Sequence, residues 1–151
     1  MSTDEQQVLK YTITRLLASR EHSLYELEVK LRQRNFEPDA VQQWLEKFCA
    51  ADLQSDYRFA EMLARSRINK GVGEFSLINE LKQHRLAQEI INQVLRELAP
   101  DWFEIAQQAL MKKTGGKPPH DLKTQQKYHR FLLQRGFSAE QIRYAIQSLK
   151  E

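Results

Sequence analysis

The stretch Asp56–Leu81, DYRFAEMLARSRINKGVGEFSLINEL, contains two helical patterns joined by the short segment Gly71–Gly73. Phe59, Met62 and Leu63 recur at three- and four-residue spacings, which is typical of one apolar face on an α-helix. The two glycines predict a tight helix–helix turn because glycine adopts left-handed backbone conformations without steric cost. They lack the rest of a phosphate-binding loop, and no strand precedes them. The stretch therefore predicts two consecutive helices.

The apolar pattern of this stretch recurs along the whole chain. Adding 50 and then 101 to five apolar positions gives apolar residues each time: Leu31, Phe36, Val41, Leu45 and Phe48 match Leu81, Leu86, Ile91, Leu95 and Leu98, and then Leu132, Phe137, Ile142, Ile146 and Leu149. This indicates an internal repeat of about fifty residues. We expect an all-α fold of three tandem three-helix repeats, 1–51, 52–99 and 100–151. Small units cover one another's apolar faces, so an elongated, curved, right-handed-type helical array is predicted.

The first helices of the second and third repeats correspond at a different offset. Adding 44 takes Phe59 to Phe103 and Gly71 to Gly115. The offset then rises to 51, which predicts seven extra residues in the third repeat. They fall in the glycine- and proline-rich segment 115–122, which is typical of a loop.

Local signals place the starts of two helices in the first repeat. Ser23 and Glu26 have the spacing of a capping box, in which hydroxyl and carboxylate satisfy free amides at a helix start. Pro38 suits the first turn of the next helix, where its missing N–H does no harm. Trp44 and Trp102 both fall on predicted helices, and we expect them to pack between units.

Composition bounds the class of protein. The chain has 151 residues and a formal net charge of +3. Its first 50 residues carry 7 basic and 8 acidic side chains, the next 50 carry 7 and 7, and the last 51 carry 9 and 5. Positive charge is thus concentrated in the last third, where a polyanion would meet it first. No signal pattern or membrane-length apolar run is present, so we expect a cytoplasmic protein and a monomer.

The residues that usually carry catalysis or bind metals form no recognisable pattern. The histidines His22, His84, His120 and His129 are scattered without partners at ligand spacing. The single cysteine, Cys49, excludes an internal disulfide, and we expect it to be a small buried hydrophobic residue. We therefore predict no enzyme activity, no cofactor and no metal.

Basic residues form the candidate binding sites, in three groups. The first group comprises Arg58, Arg65, Arg67 and Lys70, the second Lys112, Lys113 and Lys117, and the third Lys123, Lys127 and Arg130. The spacing of the third group puts its members on one face of a helix. Each group is either a solvated helix surface or a contact surface for an acidic or phosphate-bearing partner. Six positive charges within nineteen residues favour the second interpretation for the last two groups.

The chain resembles the RecX family of regulatory proteins over essentially its full length. The resemblance depends on four motifs: Arg20-x-x-Ser23-x-x-Glu26-Leu27-x-x-Lys30-Leu31, Asp56-x-Arg58-Phe59-Ala60, Arg65-x-Arg67-x-x-Lys70-Gly71-x-Gly73 and Ile78-x-x-Glu80-Leu81. The third repeat departs most from the family pattern, with a longer loop and with Thr114 in the place of Lys70. Partner contacts assigned there rest less on the resemblance.

The resemblance implies a non-enzymatic modulator of the RecA recombinase. Proteins of this family bind in the helical groove of the RecA–DNA filament and restrain its growth, strand exchange, ATP hydrolysis and co-protease activity. All three basic groups are then expected to contact the filament, with single- or double-stranded DNA as a further possible contact inside it. Two alternatives stay open: a nucleic-acid-binding module that acts without RecA, and an adaptor for another acidic protein.

Overall fold

The computed structural model describes residues 2–151, and within that range it contains nine α-helices and no strand. The helices are α1 (Thr3–Ser19), α2 (Leu24–Gln33), α3 (Pro38–Ala50), α4 (Asp56–Asn69), α5 (Glu74–Gln83), α6 (Gln88–Leu98), α7 (Trp102–Thr114), α8 (Leu122–Gln134) and α9 (Ala139–Leu149). The all-α prediction is confirmed. We refer to α1–α3, α4–α6 and α7–α9 as repeats 1, 2 and 3.

Each repeat has its own apolar core. The cores centre on Leu9, Leu27 and Leu31 in repeat 1, on Phe59, Leu77 and Leu81 in repeat 2, and on Leu110, Leu132 and Ile142 in repeat 3. Of the fifteen apolar positions that define the period, twelve are buried. The other three are half-buried: Phe36, Leu95 and Leu98. The period therefore marks the faces on which the helices of one repeat meet.

The predicted helix starts are confirmed in part. Pro38 begins α3, as expected from its tolerance in a first helical turn. The Ser23 side chain accepts a hydrogen bond from the Glu26 amide, but the Glu26 carboxylate pairs with Arg20 instead of returning to Ser23. That capping box is only half formed. The complete box within the described residues lies at Ser138 in repeat 3, where a glutamine replaces the glutamate.

The predicted match between Phe59 and Phe103 is wrong. Phe59 is 2% exposed in the core, whereas Phe103 is 40% exposed. The buried positions of α4 and α7 correspond at an offset of 46, which takes Ala60 to Ala106 and Ala64 to Leu110, all of them fully buried. The two aromatic residues therefore match in type but not in position on the helix, and the buried faces of α4 and α7 correspond at the offset of 46.

The corrected offset also revises the insertion in repeat 3. An offset that rises from 46 to 51 leaves five extra residues, whereas seven were predicted. The loop before α8 runs from Gly115 to Asp121, and α8 is three residues longer than α5, with 13 against 10. The offset of 46 takes Lys70 to Gly116, two residues after the end of α7, so Thr114 is not the counterpart of Lys70.

Two predictions about single side chains are also wrong. Cys49 is exposed, and its thiol donates a hydrogen bond to Gln54 Oε1 at 3.1 Å. Trp44 packs on the core of its own repeat, with its ring centroid 6.5 Å from that of Phe48. The prediction for Trp102 is confirmed, because this side chain borders the cores of both repeat 2 and repeat 3.

Backbone hydrogen bonds join repeat 2 to repeat 3. The Gly73 amide donates to the Arg135 carbonyl at 2.7 Å, and the Phe75 amide donates to the Gly136 carbonyl at 3.2 Å. A Cβ atom added at Gly73 would lie 2.5 Å from the Gly136 carbonyl carbon, which is closer than side chains tolerate. The turn before α5 and the turn before α9 therefore touch backbone to backbone, which requires glycine on both sides.

Side chains join repeat 1 to repeat 2. Asp56 Oδ1 accepts hydrogen bonds from the Leu24 amide at 2.8 Å and from Gln54 Nε2 at 2.9 Å. Gln54 is 5% exposed and its amide also donates to the His22 carbonyl. These bonds satisfy polar groups that burial would otherwise leave unpaired. They connect the turn before α2 to the start of α4.

His22 is buried at this junction in its neutral form. Its Nδ1 lies 3.0 Å from the Arg20 carbonyl, which can only accept, so Nδ1 carries the proton. The other nitrogen, Nε2, then accepts from the Lys30 ammonium at 2.9 Å. Burial lowers the pKa of His22 below its ordinary value, and the neighbouring positive charges of Arg20 and Lys30 lower it further.

Acid is expected to weaken the fold through His22. The unfolded chain protonates this imidazole first, because its pKa there is the ordinary 6.5 while the folded value is lower. The stability that neutral His22 contributes is therefore complete above pH 6.5 and is lost as the pH falls through the lowered folded value. The free energy of unfolding in urea should fall more between about pH 7.5 and about pH 5 for the native chain than for H22Q. An exposed-histidine control, H120Q, should behave like the native chain.

Candidate functional site between repeats 2 and 3

The same cleft occurs at both junctions between repeats. The first cleft is lined by Arg20, Glu26, Phe59, Met62, Leu63, Ser66, Arg67, Glu80 and His84. The second is lined by Ile68, Asn69, Lys70, Gly71, Ile105, Gln108, Ala109, Lys112, Lys113, Phe131 and Arg135, and has a volume of about 370 Å³. Offsets of 46 for α4 to α7 and 51 for α5 to α8 superpose seven of the nine residues of the first lining on the second, and an offset of 50 takes Arg20 to Lys70. The repeat therefore generates one site twice.

The first cleft neutralises its own charges. Arg67 donates through Nε and Nη2 to the two carboxylate oxygens of Glu80, both at 2.7 Å. Arg20 Nη1 donates to Glu26 at 3.0 Å. The hydrogen bond from Arg67 lowers the pKa of Glu80, and the same bond raises the pKa of Arg67. Two guanidinium groups thus face two carboxylates, and little net charge remains for a partner.

The second cleft has cations at equivalent positions and no carboxylate. Lys113 replaces Arg67 and Lys112 replaces Ser66, while Phe131 takes the place of Glu80. Two further cations complete the set, Arg135 in the place of His84 and Lys70 in the place of Arg20. Within the described residues, none of these four cations lies within 4.0 Å of an acidic side chain. We call this site the cationic cleft.

Contacts within the cationic cleft fix its aromatic and guanidinium groups. Arg135 Nη1 donates to the Lys70 carbonyl at 2.7 Å, across the junction. The guanidinium carbon of Arg135 lies 5.0 Å from the centre of the Phe131 ring, and Lys113 Nζ lies 5.5 Å from it. Both distances fall in the range of cation–π attraction. The cleft is therefore organised before any partner binds.

Helix ends offset part of this positive charge. The last turns of α4, α7 and α8 all contribute lining residues. Each helix C-terminus carries roughly half a negative elementary charge, so three ends supply roughly −1.5 against four cations. The cations therefore stabilise the helix ends, but their total positive charge exceeds the partial negative charge of the three helix C-termini. The surplus is available to an anionic partner.

A shallow pocket on repeat 3 extends the cationic surface. It is lined by Lys113, Thr114, Lys127, Tyr128, Arg130, Phe131 and Gln134, and shares Lys113 and Phe131 with the cationic cleft. Lys127 and Arg130 are exposed on one face of α8, as their spacing predicted. The pocket lining contains no acidic residue.

The sequence-predicted basic residues fall into two sets in the structure. The cationic cleft and the adjoining pocket bring together Lys70, Lys112, Lys113, Lys127 and Arg130. Lys117 and Lys123 are exposed nearby, on the loop before α8 and at the start of α8, and the Lys117 carbonyl accepts from the Tyr128 hydroxyl. The grouping of Lys70 with the arginines of α4 is thereby revised, because this residue faces α7 of the next repeat.

The three arginines of α4 lie outside the cationic cleft. Arg58 donates to Glu21 at 3.1 Å and to Asp52 at 3.0 Å, at the junction of repeats 1 and 2. Arg67 is held by Glu80, while Arg65 is 62% exposed and 3.8 Å from a carboxylate of the same helix. Arg58 and Arg67 thus have partners inside the chain. Binding by these residues stays a prediction.

Arg135 is the member of the cationic cleft that the sequence patterns missed. It lies seven residues after Tyr128 and immediately before Gly136, with no neighbouring cation to draw attention. The signal was present in the repeat: an offset of 51 places Arg135 on His84, which lines the first cleft. Aligning the lining residues of both junctions would have identified it.

Residues 2–151 give little support to a metal site, a membrane-spanning helix or a reactive thiol. No group of three or more His, Cys, Asp or Glu side chains there could hold a metal ion. None of the helices described is both long and apolar enough to cross a membrane. Cys49 is exposed, but partial burial of its thiol raises the pKa of this group, which disfavours the reactive thiolate.

Within residues 2–151, nine helices form three copies of one unit, with a cationic cleft at one junction, and define a tandem helical-repeat protein. Family models match the three repeats in order: the first three-helix domain of RecX at residues 14–48, the second at 55–95 and the third at 100–146. The chain belongs to the RecX family of regulatory proteins.

Relatives agree with this family, and a solved structure has the same fold. The chain is 39% identical to the regulatory protein RecX of Chromohalobacter salexigens, over 87% of this chain and 86% of the relative. It is 36% identical to the regulatory protein RecX of Vibrio parahaemolyticus, over 91% of this chain and 88% of the relative. The crystal structure of RecX from Lactobacillus salivarius has the same fold, with a TM-score of 0.78, 24% identity and 99% of each chain covered.

Proposed function

We propose that this protein regulates the RecA recombinase by binding the RecA–DNA filament, and that it mainly inhibits recombination, ATP hydrolysis and co-protease activity. Membership of the RecX family supports a regulatory role, and the resemblance implies RecA as the partner. The observation that carries the proposal is the cationic cleft, whose four cations have no carboxylate within 4.0 Å inside the described chain. Such uncompensated charge favours contact with an anionic surface.

The proposed contact surface is the cationic cleft with its adjoining pocket. It contains Lys70, Lys112, Lys113, Lys127, Arg130 and Arg135. Lys117 and Lys123 extend it, and Arg65 is the α4 arginine with most exposure. We assign Arg58 the supporting role of holding repeat 1 on repeat 2 through Glu21, and Arg67 that of holding α4 on α5 within repeat 2 through Glu80. An intracellular filament as partner places the protein in the cytoplasm, where it acts as a monomer.

Charge reversal in the cationic cleft is expected to relieve inhibition. The variant K112E/K113E turns two favourable contacts into repulsive ones, and changes of this size at a charged interface cost about 1.4 kcal/mol or more. The concentration needed to halve ATP hydrolysis by RecA on single-stranded DNA should therefore rise about tenfold or more. The variant K82E/R96E is the matched control, since it also reverses two exposed cations in the last turns of helices. Unchanged inhibition by K112E/K113E would contradict the proposal.

The same variants separate the filament from bare nucleic acid as the partner. A module that acts without RecA would bind DNA alone, and its affinity would fall by about 0.9 log units per log unit of salt for each duplex phosphate neutralised. We expect weak binding to DNA alone and strong binding to the filament, measured by gel shift with and without RecA. Tight, cleft-dependent binding to bare DNA would favour the alternative.

A further inference from the structure

The two equivalent clefts differ in one chemical respect. In the first cleft, Glu26 and Glu80 supply carboxylates that pair with Arg20 and Arg67. In the second cleft, the Glu80 position is Phe131, and the Glu26 position, at an offset of 50, is Ser76. The cations are retained or increased at the facing positions. The second cleft therefore has the binding groups of the first without their partners.

We propose that the cationic cleft docks an acidic polypeptide segment, whose carboxylates pair with Lys113 and Lys70 as Glu80 and Glu26 pair with Arg67 and Arg20. The partner supplies from outside what repeats 1 and 2 supply from within. Lys112 stands where the first cleft has Ser66, and Arg135 puts a guanidinium where the first cleft has His84; both hold further carboxylates of the segment. The inference deepens the proposed function by naming the chemistry of the partner group at this site.

The lining of the cationic cleft favours polypeptide over nucleic acid. Between its cations lie the apolar groups of Ile68, Ile105 and Ala109 and the ring of Phe131, which suit apolar side chains next to the carboxylates. Nucleic acid strands usually gain affinity by stacking bases on aromatic rings. Phe131 is the aromatic residue in this lining, and its ring already carries Arg135 and Lys113. A base would have to displace a cation in order to stack.

Peptide binding to the protein alone tests the inference without any recombinase. The probe is a fluorescein-labelled peptide of repeated Glu-Leu-Glu-Glu units, titrated with the full chain at low salt and followed by fluorescence anisotropy. A peptide with serine for each leucine tests the apolar lining, and oligo(dT) of equal charge tests nucleic acid. We expect the leucine peptide to bind most tightly. The variant K112E/K113E should weaken its binding at least about tenfold, while K82E/R96E leaves it unchanged.

A second variant restores the internal partner. F131E places a carboxylate at the position of Glu80, where it can pair with Lys113 as Glu80 pairs with Arg67. We expect F131E to keep its helical circular dichroism and to lose peptide binding, because the cleft then neutralises itself. If F131E does not fold, peptide binding by K112E/K113E still tests whether the cationic cleft binds the acidic segment.

Three results would overturn the inference: equal peptide binding by K112E/K113E and the native chain, no binding of either peptide, or tighter binding of oligo(dT) through the same lysines. The outcome is separate from that of the RecA assay. Relief of ATPase inhibition by K112E/K113E without peptide binding would retain the proposed function and reject the acidic segment. Peptide binding by a chain that has no effect on RecA would retain the acidic segment and reject the proposed function.

Discussion

Replacing Gly136 with alanine is expected to destabilise the protein by about 3 kcal/mol or more, a large part of the usual 5–15 kcal/mol for a folded domain. Gly136 has a φ of +95°, which side chains with a Cβ rarely adopt. An added Cβ would lie 2.3 Å from Ser76 Oγ and 2.6 Å from the Ser76 amide nitrogen. The hydroxyl can rotate away, but the backbone cannot, so repeat 3 must shift relative to repeat 2.

The matched control for G136A is G115A. Gly115 also has a positive φ, +67°, but a Cβ there would meet no atom within 4 Å. We expect G115A to cost only about 1 kcal/mol, the price of a left-handed conformation for alanine. Urea unfolding followed by circular dichroism measures both values. If the two substitutions cost the same, the close contact of the two turns does not stabilise the junction.

The sequence predicted the fold well because burial repeats at a fixed interval. A helix that meets its neighbours along one face requires an apolar residue at each contact, and Leu31, Leu81 and Leu132 are fully buried as a result. The prediction failed for the first helices of repeats 2 and 3. Ala60 and Ala106 mark the true register of α4 and α7, but a pair of aromatic residues at a nearby spacing is the stronger pattern, because aromatic side chains bury more apolar area than alanine.

The candidate site was predictable as a concentration of charge but not as a shape. Lys112 and Lys113 are adjacent in sequence, so the charge pattern predicts them as a pair. Lys70 and Arg135 are 65 residues apart, and only the packing of repeat 2 on repeat 3 brings the Arg135 guanidinium to the Lys70 carbonyl. Which cations are neutralised also depends on tertiary contacts: Arg67 is paired because α5 presents Glu80 to it.

The family motif that begins at Asp56 has a structural explanation at the junction of repeats 1 and 2. Asp56 bonds the start of α2, Arg58 bonds Glu21 in the turn before α2, and Phe59 and Ala60 are buried in the core of repeat 2. The sequence predicted a partner contact for Arg58 because an arginine beside the apolar face of a helix is expected to be exposed and free to bind. The structure places this motif where it sets the orientation of repeat 1 on repeat 2.

Replacing Asp56 with alanine is accordingly expected to cost about 2–3 kcal/mol. The substitution removes the acceptor of the Leu24 amide, and it leaves Nε2 of the buried Gln54 with one of its two acceptors. It also removes a negative charge from the first turn of α4, where the helix dipole favours one. D56N, which keeps an acceptor oxygen but no charge, should fall between the native chain and D56A in urea unfolding.

The matched control for D56A is D101A. Asp101 also begins a helix, and its carboxylate accepts from the Glu104 amide at 3.2 Å, but it is exposed and holds no second repeat. Loss of such a cap costs about 1 kcal/mol. Hydrogen exchange gives a second readout, because D56A should speed exchange across α1–α3 more than across α7–α9, whereas D101A should not. Equal costs for D56A and D101A, with uniform exchange, would mean that Asp56 only begins α4 and does not join repeat 1 to repeat 2.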